Sequence, residues 1–221
     1  MAKFVTFSFD DGIEQDIPFV KELNKYGYKA TFNINTGIQT RANSWINEGV
    51  KIHRMNIKGL KELYKGHEVA SHSLTHPFLE KLDEDTIYNE LFYDKKNIED
   101  IFDSEVVGFA YPYGAYDERV IKIARSVGIK YARTAGTSMK FSVTGDLMKY
   151  TGTCHFSNAE IFDLIDKFDA LTDSGERQVL YIWGHTYEFD VLKKWKLLTD
   201  ILERLKSVKA NFVTNREAFG V

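Results

Sequence analysis

Short apolar runs alternate with amphipathic stretches along almost the whole chain, and this alternation restricts the fold more than any other feature. Residues 3–9 (KFVTFSF) read as a strand, 16–26 as a helix stopped by Gly27, and 29–35 (KATFNIN) as a second strand. A helix over 57–65 ended by Gly66, a strand over 68–71, a helix over 83–102 with Asp83 as N-cap and a strand over 106–111 follow. Next come a helix over 117–127 closed by Gly128, a strand over 130–134 and a further strand over 149–155. A helix over 158–171 capped by Ser157 or Asn158, a strand over 178–183 (QVLYIW), a helix over 189–206 and a strand over 210–214 complete the series. Repeated strand–helix units require parallel strands with helices outside. Seven or eight such units predict an α/β fold built as an incomplete TIM-like barrel, with an open doubly wound sheet as the alternative. The polar segment 39–56, anchored by Trp45 and Ile46, reads as a long loop over the barrel mouth.

No linker rich in Pro, Gly or Ser divides the 221 residues, so a single domain over 1–221 is expected. The net charge of −3, without a basic stripe, favours neither nucleic acid nor an anionic membrane as partner. Cys154 is the only cysteine, so no internal disulfide forms, and as neighbour of His155 on a strand it points to the opposite face. The apolar runs are too short to span a bilayer, and no signal peptide precedes the first strand. A cytoplasmic protein is therefore expected, unless a leader has been removed. Nothing indicates an oligomeric state.

In a parallel barrel, functional groups collect at the C-terminal ends of the strands. Asp10 and Asp11 (SFDDG) follow the first strand, and His72 and His76 (SHSLTH) the third. The turn AYPYG at 110–114 follows the fourth, and His185 stands two residues past QVLYIW. Histidines spaced by four can share a metal on one helical turn, although Pro77 disfavours α geometry at His76. Two imidazoles and a carboxylate make a common transition-metal set with open positions. Adjacent carboxylates suit a division of labour, one binding metal and the other accepting a proton. His185, whose ordinary pKa is about 6.5, is a third ligand or a general acid. His53, His67 and His155 are read as structural or exposed.

In this order and spacing the motifs resemble the polysaccharide deacetylase family (carbohydrate esterase family four) over about residues 6–219. The resemblance implies a distorted (β/α) barrel that removes N- or O-acetyl groups from sugars with one divalent metal. It implies Asp10 as catalytic base and Asp11, His72 and His76 as metal ligands. It also implies the Tyr113 backbone N–H in the oxyanion hole and His185 as general acid. The metal is expected to be zinc, with cobalt, nickel or manganese as other fits. Two features depart from the family pattern. Ala110 stands where an arginine often orients the base, and Arg133 is the candidate to supply it from another strand; the aspartate–tryptophan motif is absent. Aromatic residues near the site, Tyr111 and Tyr187 foremost, are expected to contact an acetylated oligo- or polysaccharide. A hydrolase of another amide, such as a cyclic ureide or imide, and a non-catalytic sugar-binding protein are the alternatives.

Overall fold

The computed structural model describes residues 3–172 and 175–221. Its strands are β1 (Lys3–Asp10), β2 (Ala30–Ile34), β3 (Trp45–Asn47), β4 (Val50–Ile52), β5 (Glu68–Ser71), β6 (Gly108–Ala110), β7 (Tyr131–Thr134), β8 (Tyr150–Thr151), β9 (Cys154–His155), β10 (Gln178–Gly184) and β11 (Asn211–Phe212). The helices are α1 (Asp16–Tyr26), α2 (Ile57–Leu63), α3 (Glu84–Phe102), α4 (Glu118–Ser126), α5 (Ile161–Asp169), α6 (Tyr187–Val191), α7 (Trp195–Leu205) and α8 (Asn215–Phe219). No helix among the described residues is long and apolar enough to cross a membrane.

The main sheet is parallel, in the order β8-β7-β6-β5-β2-β1-β10-β9, with β11 also on β1. Its two ends lie on one stretch of chain. Tyr150 and Thr151 pair with β7, and Cys154 and His155 pair with β10. A residue spans at most about 3.6 Å, so Thr151 and Cys154 are within about 11 Å of each other. The sheet therefore curls into a distorted barrel whose seam is a single extended segment, laddered by two residues on each side. This is the strand expected over 149–155, and it excludes the open doubly wound sheet.

Strand alternation sorts β1 into two faces. Val5, Phe7 and Phe9 point outward to the helices, where Phe9 meets Phe19 at 4.2 Å and Phe189 at 6.1 Å between ring centroids. Thr6, Ser8 and Asp10 point inward, and all three are buried. The barrel interior is correspondingly polar. Thr6 Oγ1 donates to Asn215 Oδ1 (2.8 Å), and the Asn215 side-chain amide donates to the Tyr181 hydroxyl (2.8 Å). Thr31 Oγ1 and the Arg216 backbone N–H donate to Glu68 Oε2, and the Tyr131 hydroxyl donates to Glu68 Oε1. Helix α8 closes the floor, its Phe219 ring 4.7 Å from Tyr150 and 5.0 Å from Tyr131.

Four local expectations are corrected. The helix expected over 189–206 is two helices, α6 and α7, broken where Lys193 takes a positive φ of 54°. Helix α8 was not expected, although Thr214 and Glu217 form a capping box at its start. Segment 39–56 contains the antiparallel hairpin β3–β4. Neither Ser157 nor Asn158 caps α5; the Asn158 side chain instead accepts the Glu160 N–H in the turn before it.

The Glu68 carboxylate is the shared acceptor of three donors in the buried interior. Glu68→Ala strands all three, and buried unpaired groups cost about 1–3 kcal/mol each. We expect urea denaturation to show a loss of about 3 kcal/mol or more; a loss under about 1 kcal/mol would mean the network does not hold the floor.

Candidate active site

Nine candidate site residues named from the sequence border one cleft of about 450 Å³ at the C-terminal ends of the strands: Asp10, Asp11, His72, His76, Tyr111, Tyr113, Arg133, His185 and Tyr187. Trp45, Arg54 and Trp183 complete its main walls.

Asp10 ends β1 and points into the barrel. Arg133 Nη2 donates to its Oδ2 at 2.5 Å, and Asn33 Nδ2 donates to Oδ1 at 2.8 Å. Burial opposes ionisation, yet the Arg133 guanidinium, with His72 and His185 nearby, holds the Asp10 pKa down at about 2. Arg133 is the registered partner of Ala110 across the β6–β7 ladder. The guanidinium thus starts one strand over from the position where the family resemblance implies an arginine.

Asp11 would point outward if β1 continued. A positive φ of 85° at Asp11, followed by 63° at Gly12, ends the strand and reorients the carboxylate. Arg54 clasps it: Nη1 donates to the Asp11 carbonyl (2.7 Å) and Nη2 to Oδ1 (3.1 Å). Sequence reasoning missed Arg54, which enters from the end of the β3–β4 hairpin and carries no local signal of its role.

His72 and His76 do not lie on a helical turn. Pro77 follows, and the loop instead takes positive φ at Ser73 (64°) and His76 (62°). Glu90 of α3 pins this loop by accepting the Thr75 N–H (2.8 Å) and hydroxyl (2.6 Å). The rings still meet, with centroids 4.7 Å apart. Donor atoms of Asp11, His72 and His76 all lie within 4.8 Å of one another. His72 Nδ1 is hydrogen-bonded to the Ala110 carbonyl at 2.7 Å, which leaves Nε2 free to ligate. Burial lowers the His72 pKa to about 4 and lowers that of His76. Asp11 is held below its ordinary value, against the effect of burial, by His185 and Arg54. Two neutral imidazoles and an ionised carboxylate are the protonation states a divalent cation requires, so the residues fit one.

His185 begins the turn after β10. Glu188 Oε2 accepts its backbone N–H at 2.9 Å and stands 3.4 Å from Nδ1, while Nε2 faces Asp10 Oδ2 at 3.7 Å. Burial opposes the charge, but the Glu188 hydrogen bond and the charges of Asp10 and Asp11 raise the His185 pKa to about 9. His155, read from the sequence as structural or exposed, also reaches Glu188 Oε2, at 2.9 Å from Nε2.

Tyr113 has a positive φ of 58°, and its N–H has no hydrogen-bond partner among the described residues. Its ring stacks on Phe78 at 3.9 Å and meets His76 edge-on. Across the mouth, Trp45 and Tyr187 meet edge-to-face at 5.8 Å. Tyr111 borders the cleft, with its side chain largely buried and its hydroxyl donating to the Met148 carbonyl at 2.9 Å.

Residues 1–132 match the model of the polysaccharide deacetylase family. Chitin deacetylase 2 of Cryptococcus neoformans is 23% identical over 137 residues, 58% of this chain and 30% of that protein. YxkH of Bacillus subtilis, a relative named for the same family, is 28% identical over 135 residues, 60% of this chain and 44% of that protein. The chain therefore spans less than half the length of either curated relative. The Xyl-CE4 domain of a multidomain xylanase from the hindgut metagenome of Trinervitermes trinervoides shares the fold, with a TM-score of 0.65 over 100% of this chain and 91% of that chain at 21% identity. The family match covers more than half of the 221 residues and includes Asp10, Asp11, His72, His76 and Tyr113, and the chain belongs to the polysaccharide deacetylase family.

Proposed function

We propose that residues 1–221 act as one catalytic domain, a metal-dependent hydrolase that removes acetyl groups, N-acetyl foremost, from a carbohydrate. The observation that carries this reading is the meeting in one cleft of the Asp11–His72–His76 donor set, the Asp10–Arg133 pair and His185. A divalent cation held by Asp11, His72 and His76, zinc before cobalt, nickel or manganese, would supply a Lewis acid and a water of lowered pKa.

The chain's own groups divide the proton traffic. Arg133 and Asn33 fix the Asp10 carboxylate so that it accepts the proton of the attacking water. The Tyr113 N–H donates to the oxyanion that develops on the acetyl carbonyl. Glu188 accepts the Nδ1–H of His185 and leaves Nε2–H aimed into the cleft, where it protonates the departing amine. A carboxylate held at about 2 is a weak base, whereas deprotonated His185 is a strong one, with a conjugate acid of about 9. After His185 has given up its proton, it is therefore the group that takes the proton back from Asp10, and both residues return to their starting states. The Phe78–Tyr113 stack and the Trp45–Tyr187 pair offer aromatic faces to the apolar faces of sugar rings. A cleft of about 450 Å³ is in the range of small-ligand sites, so it takes a short stretch of glycan.

Acetate release from N-acetylated chito-oligosaccharides, peptidoglycan fragments and acetylated xylan tests this reading in zinc-reloaded protein. Asp10→Asn and His185→Ala should each lose at least about 100-fold in kcat while still binding the ion at Asp11, His72 and His76. His76→Ala should lose the ion at the Asp11–His72–His76 set. An Asp10→Asn protein at the wild-type rate would overturn the assignment.

His185 acts while protonated, so kcat/KM should fall as pH rises through about 9. Glu188→Gln removes the anion that holds this proton, so the alkaline limb should move to lower pH. A limb that stays in place in Glu188→Gln would rule out Glu188 as the residue that positions and charges His185.

A further inference from the structure

A second cluster with the same donor types as Asp11, His72 and His76 stands beside the site: His155 at the seam of the barrel, with His185 and Glu188. One donor atom from each lies within 4.8 Å of those of the other two, and Glu188 Oε2 stands 2.9 Å from His155 Nε2 and 3.4 Å from His185 Nδ1. Ligands about 2.1 Å from a tetrahedral zinc stand about 3.4 Å apart, so the carboxylate oxygen stands near the separation zinc imposes from each imidazole. The far nitrogen of each ring faces an oxygen: His155 Nδ1 is 2.8 Å from Ser157 Oγ, and His185 Nε2 is 3.7 Å from Asp10 Oδ2. Such outer contacts orient ligating imidazoles. Gly184 permits the close approach, because a Cβ there would lie 3.0 Å from His155 Nε2 and 2.5 Å from the Phe156 ring. The side chains are 19%, 25% and 23% exposed, open enough for an ion to enter from solvent.

We propose that His155, His185 and Glu188 form a second, weaker zinc site, and that filling it switches the enzyme off. Zinc enters the position that ring N–H protons now occupy between the imidazoles and Oε2. Those protons leave to solvent, and no electrons move. With its Nδ1 on the ion, His185 no longer forms the imidazolium that protonates the leaving group. The site is more exposed than the Asp11 set, and its carboxylate is already shared with the His185 N–H, so it fills second. The inhibition rests on the acid role of His185; the binding does not.

Calorimetric zinc titration of the chelator-stripped full chain tests the binding. Wild type should take two zinc ions per chain. His155→Gln, whose amide can still donate to Glu188, should take one, its second dissociation constant raised at least 100-fold. His76→Ala should retain only the weaker site. Excess zinc should slow acetate release by wild type and leave His155→Gln, equally active without the excess, unaffected. One zinc per wild-type chain, or two of unchanged affinity in His155→Gln, overturns the site. Two zinc ions without loss of rate in an active enzyme overturns the switch. If no acetylated glycan is turned over, the stoichiometry still decides the site, and the failure falls on the proposed activity. Thermal melts of each variant confirm that it is folded.

Discussion

Two adjacent carboxylates at the end of a buried strand are the constraint around which the upper half of the barrel is arranged. Like charges about 4 Å apart repel by about 4 kcal/mol in a protein-like dielectric, and each also resists leaving water. The chain provides one guanidinium for each: Arg133 for Asp10 and Arg54 for Asp11. The left-handed residue Asp11 turns the two acids in different directions, so each meets its own cation. Arg54 reaches its place because the chain after β4 is joined to the turn after β1. Glu14 N–H donates to His53 O at 2.9 Å, and Met55 N–H to Gly12 O at 3.0 Å. The hairpin that carries Trp45 at the cleft mouth is thereby tied to the residue proposed to bind metal.

Below this pair the barrel holds a column of polar groups. Its links join distant residues: Thr6 with Asn215, Thr31 with Glu68, Glu68 with Tyr131, Asp10 with Arg133. No single strand–helix unit can satisfy its own inward residues. A slip of one residue in any strand would turn polar groups into the apolar helix layer and leave others unpaired. The polar interior therefore fixes register, while the outward residues (Phe7, Phe9, Ile182 and their neighbours) contribute most of the apolar burial. The five-residue helix α8, at the far end of the sequence, supplies Asn215 and the Arg216 N–H to this column.

What the sequence disclosed and what it concealed divide along one physical line. Strand–helix alternation is a local pattern, so nearly every strand and the long helices were legible. Asp10–Asp11 and His72–His76 were legible because each pair is short in sequence and sits at a strand end. Glu188 and His155 were not, because they meet only when β9 and β10 lie side by side. Arg54 was not, because a lone arginine in a polar segment resembles any solvated one until the hairpin folds over Asp11. The 189–206 pattern was read as one helix for a local reason: apolar periodicity continues through the break at Lys193, and only the backbone reveals it. The spacing of four between His72 and His76 was read as helical; the metal-ready geometry arises from a loop instead.

Ala110 and Arg133 show why a gap in a motif is not a gap in a site. Registered neighbours on adjacent parallel strands stand about 4.8 Å apart and face the same way. An arginine side chain is longer than that separation, so a guanidinium can be delivered to one point inside the barrel from either strand. The small side chain at Ala110 leaves room for the Arg133 side chain to cross to Asp10. What Asp10 requires is a buried cation at hydrogen-bond distance, not an arginine at a given place in the order of residues. The same reasoning applies to the absent aspartate–tryptophan motif. The anion beside His185 comes from Glu188, three residues later on the next helical turn, and the indole at the cleft wall is Trp183, which lies 4.9 Å from the Arg133 guanidinium. In this chain the charges and aromatic faces around the cleft are thus brought together in space from several different strands and loops.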